Sequence, residues 1–459
     1  MTANLGSVFP LHKGPRVGII PPMAELIEPR VLKGFRDFLP HMELERKRVQ
    51  RILEDTFEGF GFVPIDTPVL EYTEVLLGKG GGETDKQLYR FQDNGGRDVA
   101  MRFDLTVPFA RFMAAHVQEL YLPFQRDHIA KVFRGENTQR GRYREFTQCD
   151  FDIVGVDSPA ADFEILLLMR ESFHALGIER LHIHLSHRGI FNRALQRLGV
   201  QEKAVEVLRT VDKIKKIGEE AVREQLVGLA GEAAADEILQ FGKPESDFLS
   251  TLEKITQLAG GPAEDTERLK RIYQWMVDLG IEDSFLLDPS ITRGLDYYTG
   301  IVYETFLLDL PGIGSVCSGG RYNDLASLYT KERLPGVGSS IGLDRLLAAL
   351  DELGKKPERT GVTEILVFCL EESLYGDYLS TAQALQKAGF ATEVFPEQRK
   401  LSIQFSFAEK KKIPLGVFLG SEEKGRGVIS LRDLRTRVTY ENLTLSRLVM
   451  KARELLGRD

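Results

Sequence analysis

Between Lys131 and Gly155 the chain reads KVFRGENTQRGRYREFTQCDFDIVG, a stretch in which polar residues recur every second position. Two strands joined by a polar turn over residues 137–142 are expected, the second running over 143–154. Alternation then puts Arg142, Arg144, Phe146, Gln148, Asp150 and Asp152 on one face. Tyr143, Thr147, Cys149, Phe151 and Ile153 fall on the other. A row of guanidinium, aromatic ring, amide and carboxylate makes a poor core face but a good floor for a ligand. Arginine forks in particular suit phosphate and carboxylate oxygens. Taken alone, the same row also fits a solvent-facing strand with a cross-strand charge ladder.

Three further polar clusters lie far along the chain. Asp104-Leu105-Thr106-Val107-Pro108 precedes a helix to about Leu120, and Asp104 suits its N-cap. Arg293-Gly-Leu-Asp-Tyr297-Tyr298-Thr-Gly and Ser318-Gly-Gly-Arg-Tyr322-Asn-Asp-Leu bracket an extended stretch over 301–306. Gly336-Val-Gly-Ser-Ser-Ile-Gly-Leu-Asp-Arg345-Leu reads as a strand, a glycine turn and a helix ending near Leu353. Gly-rich 78–84 lacks the GxxxxGK[ST] pattern of a phosphate loop and reads as an ordinary loop.

The elements that must position these residues follow from hydrophobic period and turn chemistry. Leu44, Val49, Ile52, Leu53 and Phe57 mark a helix over 41–60, stopped by Gly-Phe-Gly-Phe and followed by an extended segment over 63–70. Asn94-Gly95 centres a hairpin between 89–91 and 99–103. A helix over 160–176 precedes an alternating strand over 181–185, where His182 and His184 share a face without a third ligand at metal spacing. Residues 190–280, dense in Glu, Lys, Ala and Leu with glycine punctuation, predict four to six helices, and 285–289 returns to strand. After a charged, Pro-containing linker at 355–361, the tail predicts the order βαβαβββα, a compact α/β unit.

Phe133-Arg134-x-Glu136, the loop and Arg142-Tyr-Arg-Glu-Phe146 resemble motif 2 of the class II aminoacyl-tRNA synthetases, and more narrowly the histidyl-tRNA synthetase family. The 41–70 region resembles motif 1, through which that class dimerises, and 336–346 resembles motif 3, with Asp344 where Glu is commoner. RGLDYYTG is the most specific match; in the GGRY loop Asn323 replaces the usual Asp. The resemblance implies an α/β fold: an α+β catalytic core with an antiparallel sheet flanked by helices over 31–189 and 281–354. It adds a helical insertion domain over 190–280 and an anticodon-binding α/β domain with a mixed sheet over 362–459, after a leader over 1–30. It also implies ATP with Mg²⁺, histidine and its tRNA as substrates and partners, and a homodimer. Carried over position by position, Arg134 and Arg293 would be catalytic at the α-phosphate. Asp104, Thr106 and Gln148 would receive the α-ammonium, and Asp152 and Tyr298, with Tyr297 and Tyr322, the imidazole. Glu136 would meet the adenine edge, Phe146 would stack on its ring, and Arg142 and Arg345 would take the distal phosphates. A catalytically silent paralogue, the regulatory subunit of ATP phosphoribosyltransferase, shares this core; such proteins usually lack the tail and the Arg and Tyr of the RGLDYY loop, which this chain keeps.

Composition narrows the remaining classes. With 459 residues the chain exceeds one ordinary core, so two or three domains are expected. No run of about 18 apolar residues predicts a membrane span, and the first residues lack a signal-peptide layout. Cys149, Cys317 and Cys369 never form CxxC, which suits a reducing cytoplasm and suggests neither disulfide framework nor zinc site. The net charge of −8 argues against indiscriminate nucleic-acid binding. Residues 361–459, however, hold 15 Lys and Arg against 13 Asp and Glu, so the tail is +2 and the rest −10.

Overall fold

A computed structural model describes residues 27–78, 85–138, 141–291, 297–355 and 361–458, without the side chains of Lys215 and Lys216. The first 26 residues of the expected leader and Arg293 therefore lie outside the described residues.

Strands Phe124–Phe133 and Glu145–Val154 form a long antiparallel pair, in register from Phe124 opposite Val154 to Phe133 opposite Glu145. Strand Gly336–Gly342 pairs with the other edge of Glu145–Val154, and Cys317–Arg321, Ile301–Leu307 and Leu181–His187 follow, all antiparallel. Short parallel strands at the two edges, Val63–Pro64 and Phe285–Leu287, complete an eight-stranded sheet. The expected extended segment over 63–70 is thus split: Leu70–Tyr72 belongs to a separate three-stranded sheet with Asp98–Met101 and Arg90–Gln92. Pro64 and Pro68 lack the N–H that a continuous ladder needs.

One face of the large sheet is covered by helices. Cys149, Phe151 and Ile153 point into a core shared with helices Pro40–Gly59 and Pro159–Ala175. In Pro40–Gly59 the buried positions Glu45, Val49, Leu53 and Phe57 recur every four residues, so a single stripe meets the sheet. The Phe57 ring lies 5.0 Å from that of Phe151. Burying such a side chain contributes about 1.5–3 kcal/mol. Ser158 starts the second helix, its hydroxyl accepting the Ala161 N–H with Pro159 in the first turn.

Six helices lie between Ala204 and Asp278, the last being Glu264–Asp278. Their buried Val207, Leu226, Ile238, Leu252 and Leu269 continue the same core. Arg268 ties the last helix to the start of Pro159–Ala175: its Nε donates to Asp162 Oδ2 at 2.5 Å and its Nη1 to Asp157, in the loop before that helix, at 2.9 Å. Arg321 Nε donates to the other oxygen of Asp162 at 2.8 Å.

Residues 365–455 build a second unit with its own core around Leu366, Phe368, Tyr378, Leu385, Leu431 and Leu448. Its five strands run Thr392–Val394, Ile365–Val367, Leu415–Phe418, Ile429–Asp433 and Thr439–Leu443, the first three parallel and the last two antiparallel. The order differs from the expected βαβαβββα by one extra helix, Ser421–Arg426. Its sequence SEEKGR has no apolar period; Glu423 accepts the Gly420 N–H and Glu371 the Ser421 N–H, holding its start. Among the described residues no helix is long and apolar enough to cross a membrane.

Candidate active site

An open cleft of about 650 Å³ lies beside Glu145–Val154, lined among others by Glu136, Arg142, Phe146, Gln148, Ser340 and Arg345. Phe146 and Gln148 reach it because alternation along the strand sends Cys149 and Phe151 the other way, into the core. The alternating row expected from Arg142 onward starts only at Glu145, where the strand begins. Arg142 and Tyr143 precede it and both line the cleft, so Tyr143 is on the ligand side and not opposite. Arg36 lies 3.8 Å above the Tyr143 ring. Arg144 Nε instead donates to the Glu136 carbonyl at 3.2 Å, and its stem rests against Gly34.

Arg134 Nε donates to the Phe103 carbonyl at 2.8 Å, and its guanidinium lies 5.1 Å from the Phe146 ring centroid. Arg345 donates to the Ser315 carbonyl from the first turn of helix Leu343–Glu352. Beside it, Asp344 accepts from Arg36 and, at 2.8 Å, from the Thr147 N–H. The residue that departs from Glu is therefore a buried brace between two elements of the cleft wall.

Gln148 Nε2 donates to Ser340 Oγ at 2.7 Å, which leaves its buried Oε1 without a hydrogen-bond partner among the described residues. Asp104 Oδ1 accepts the Val107 N–H at 3.1 Å and so caps the helix that Thr106 opens, Thr106–His116. Its Oδ2 is buried and unpartnered among the described residues. Tyr297 packs edge-on against Tyr298 and Tyr322, at centroid distances of 4.9 and 6.0 Å. The Tyr322 hydroxyl donates to Asp152 Oδ1. Glycines make this possible: a Cβ at Gly338 would overlap the Asp152 carboxylate, and one at Gly336 the Tyr322 ring.

Burial raises the carboxyls of Asp104 to about 6 and Asp150 to about 7, and lifts Asp152 as well. In all three the Arg126 guanidinium opposes the shift. Burial also raises Tyr297, Tyr298 and Tyr322, so each stays a neutral hydroxyl at physiological pH. Glu136, Arg142, Phe146, Gln148 and Arg345 thus line the cleft, with Arg134 against Phe146, and Asp152 joins the three tyrosines in one cluster.

Asn323 is joined to both neighbours of its loop. Its Oδ1 accepts from Arg321 at 3.1 Å and its Nδ2 donates to Asp157 at 3.0 Å. An Asp there would set a second carboxylate against Asp157, so the departure from the usual GGRYD has a local electrostatic reason. Arg126 and Arg36 fall outside the alternating row and the motifs, whereas Tyr143 falls within them but on the face opposite to the one it takes. The available signal for Arg126 was a charged residue alternating with His128 on the strand before Lys131.

A family model described as Histidyl-tRNA synthetase matches residues 34–346, and one described as Anticodon binding domain matches 364–455. The histidine–tRNA ligase of Treponema denticola is 52% identical over 446 residues, covering 94% of this chain and 99% of that protein. The crystal structure of histidyl-tRNA synthetase from Nostoc has a TM-score of 0.83 at 30% identity, covering 94% of this chain and 100% of that one. A Bacillus halodurans structure described as an ATP phosphoribosyltransferase regulatory subunit/histidyl-tRNA synthetase gives 0.70 at 20% identity, over 83% and 97%. That last likeness speaks to fold alone, which both readings share, whereas the other matches extend through sequence over nearly the whole chain. On the strength of the match over 34–346 and of these near full-length relatives, the chain belongs to the histidyl-tRNA synthetase family.

Proposed function

We propose that the cleft seats ATP along its arginine-lined opening and histidine at its deep end, for the reaction of a histidine–tRNA ligase. In that reaction the histidine carboxylate attacks the α-phosphate and pyrophosphate leaves; a 3′-terminal hydroxyl of the tRNA then takes the histidyl group as an ester and AMP leaves. Little protein acid–base work is required; the protein must align the two reactants and stabilise charge growing on phosphate oxygens.

The observation that carries the reading is a pair of buried acceptors without partners among the described residues, Asp104 Oδ2 and Gln148 Oε1. An ammonium group supplies N–H donors for both and the positive charge that a buried carboxylate needs. With Thr106 they form the α-ammonium site. Asp152 and Tyr298 bracket the imidazole, whose two nitrogens each need a partner, while Tyr297 and Tyr322 wall it. Phe146 stacks under adenine, Glu136 meets its edge, and Arg142 and Arg345 take the distal phosphates. Arg134 binds the α-phosphate and the substrate carboxylate; Arg293, which lies outside the described residues, is assigned to the α-phosphate through the RGLDYYTG match alone. The cleft fits a nucleotide in donor chemistry, since an aromatic floor and separate guanidinium groups line it. Mg²⁺, implied by the resemblance, would accompany the triphosphate and help neutralise it.

The 365–455 unit binds the anticodon end of the tRNA, in keeping with its family match. Two chains pair through the 41–70 region, near which Leu70, Tyr72, Tyr121 and Leu122 are exposed. Pyrophosphate exchange tested with each of the twenty amino acids should be stimulated by histidine alone, and the 51.7 kDa chain should sediment as a dimer. Stimulation by another amino acid, or by none, would refute the substrate; a lone chain at micromolar concentration would refute the pairing.

A further inference from the structure

None of the roles above uses Arg126, although its side chain is fully buried. It stands on Phe124–Phe133 directly opposite Asp152, on the face that looks toward the deep end of the cleft. Its Nη2 lies 2.7 Å from Asp152 Oδ2. Its guanidinium also sits 4.2 Å from the ring centroid of Phe109, in the helix that Thr106 opens. One side chain therefore touches both elements that carry the proposed ammonium and imidazole acceptors.

Stability does not account for it. Nε, Nη1 and Nη2 make no aligned hydrogen bond among the described residues, so the ion pair with Asp152 is its main compensation. Buried pairs of this kind are often no more stable than well-packed apolar residues of similar volume. What the pair achieves is local. The Tyr322 hydroxyl holds Asp152 Oδ1 and Arg126 holds Oδ2, which pins the carboxylate from both sides. Each oxygen retains a further lone pair for an imidazole N–H. The neighbouring acids Asp104 and Asp150 share the site, yet Asp152 is the one that Arg126 contacts.

Resting on the ligase reading above, we propose that Arg126 is a positioning residue for amino-acid selection: it fixes the Asp152 carboxylate, charged, where the substrate imidazole must find it. It touches neither histidine nor ATP itself, and its effect passes through Asp152.

The test compares Arg126→Met, Arg126→Lys, Asp152→Asn and Arg126→Met/Asp152→Asn in the full-length protein, by pyrophosphate exchange with KM measured for histidine and for ATP. Arg126→Met should raise the histidine KM about 10- to 100-fold, as expected when a buried carboxylate loses its partner, with ATP KM nearly unchanged. Arg126→Lys should recover much of the loss by restoring the charge. Once Asp152 is Asn, the Met substitution should add little, because its route of action is gone. Parallel losses for histidine and ATP, or an undiminished effect in the Asp152→Asn background, would overturn the proposal. If Arg126→Met does not fold, Arg126→Gln, which keeps a polar group without the charge, decides: a rise confined to histidine KM supports the role, and no rise or parallel rises overturn it. Wild-type exchange indifferent to histidine would instead bring down the ligase reading, and this inference with it.

Discussion

Asp104 has two differently placed carboxylate oxygens: Oδ1 caps the helix Thr106–His116, and Oδ2 is buried without a partner among the described residues. One oxygen accounts for the helix-cap reading, and the other is the one the proposed ammonium site would use. Burial raises this group to about 6 in the folded chain, above the usual Asp value near 4, so folding disfavours its charged form. The resulting penalty is absent well below pH 4, grows through pH 4–6 and is complete above about 6. Asp104→Asn retains an acceptor for the Val107 N–H and removes the charge. It should stabilise the ligand-free protein at pH 8, by up to about 3 kcal/mol, and have no such effect at pH 4. Histidine KM should rise sharply in the same variant while ATP KM holds. Thermal unfolding at the two pH values and exchange kinetics check both halves; equal Tm shifts at pH 4 and pH 8 would contradict the sign.

Among the elements, the strands that form the back wall of the site are unusual in their glycines. Gly336 and Gly338 on one strand and Gly319 and Gly320 on its neighbour leave room for Tyr322, Asp152, Tyr303 and Tyr298 respectively. Glycine weakens a strand interior, and here pairing on both edges of Gly336–Gly342 offsets that cost. Gly338→Ala should be destabilising by about 1–3 kcal/mol through overpacking, and should also raise histidine KM by displacing the Asp152 carboxylate. A variant with normal Tm and normal histidine KM would show that the wall yields freely. The period of two along 145–154 was legible in the sequence because one set of side chains, Cys149, Phe151 and Ile153, is apolar and the other polar. Where that contrast is missing, at residues 142–144, alternation did not hold, and Tyr143 faces the cleft.

For the molecule as a whole, the 365–455 unit has its own core, and none of its described residues lines the cleft. A chain ending at Lys355 should still catalyse histidine-dependent pyrophosphate exchange, yet charge tRNA far more weakly. Its tRNA binding should also depend less steeply on salt, because the basic residues of the tail would no longer contact phosphates. Full charging efficiency in the shortened chain would refute the anticodon-binding role and leave the first half-reaction untouched.

By itself the sequence determined the class of the fold, the order of most elements, the family and the polar set that lines the cleft. Those features are local: a hydrophobic period, a turn dipeptide or a short run such as RGLDYYTG is complete within a few residues. Only the tertiary structure decided that Arg126 stands against Asp152, that Arg268 and Arg321 share Asp162, and that Asp344 braces Arg36. Each of these pairings joins residues far apart in the chain. Strand register and helix packing, which no local pattern encodes, bring the partners within reach, and burial then makes an unmatched charge too costly to leave unpaired.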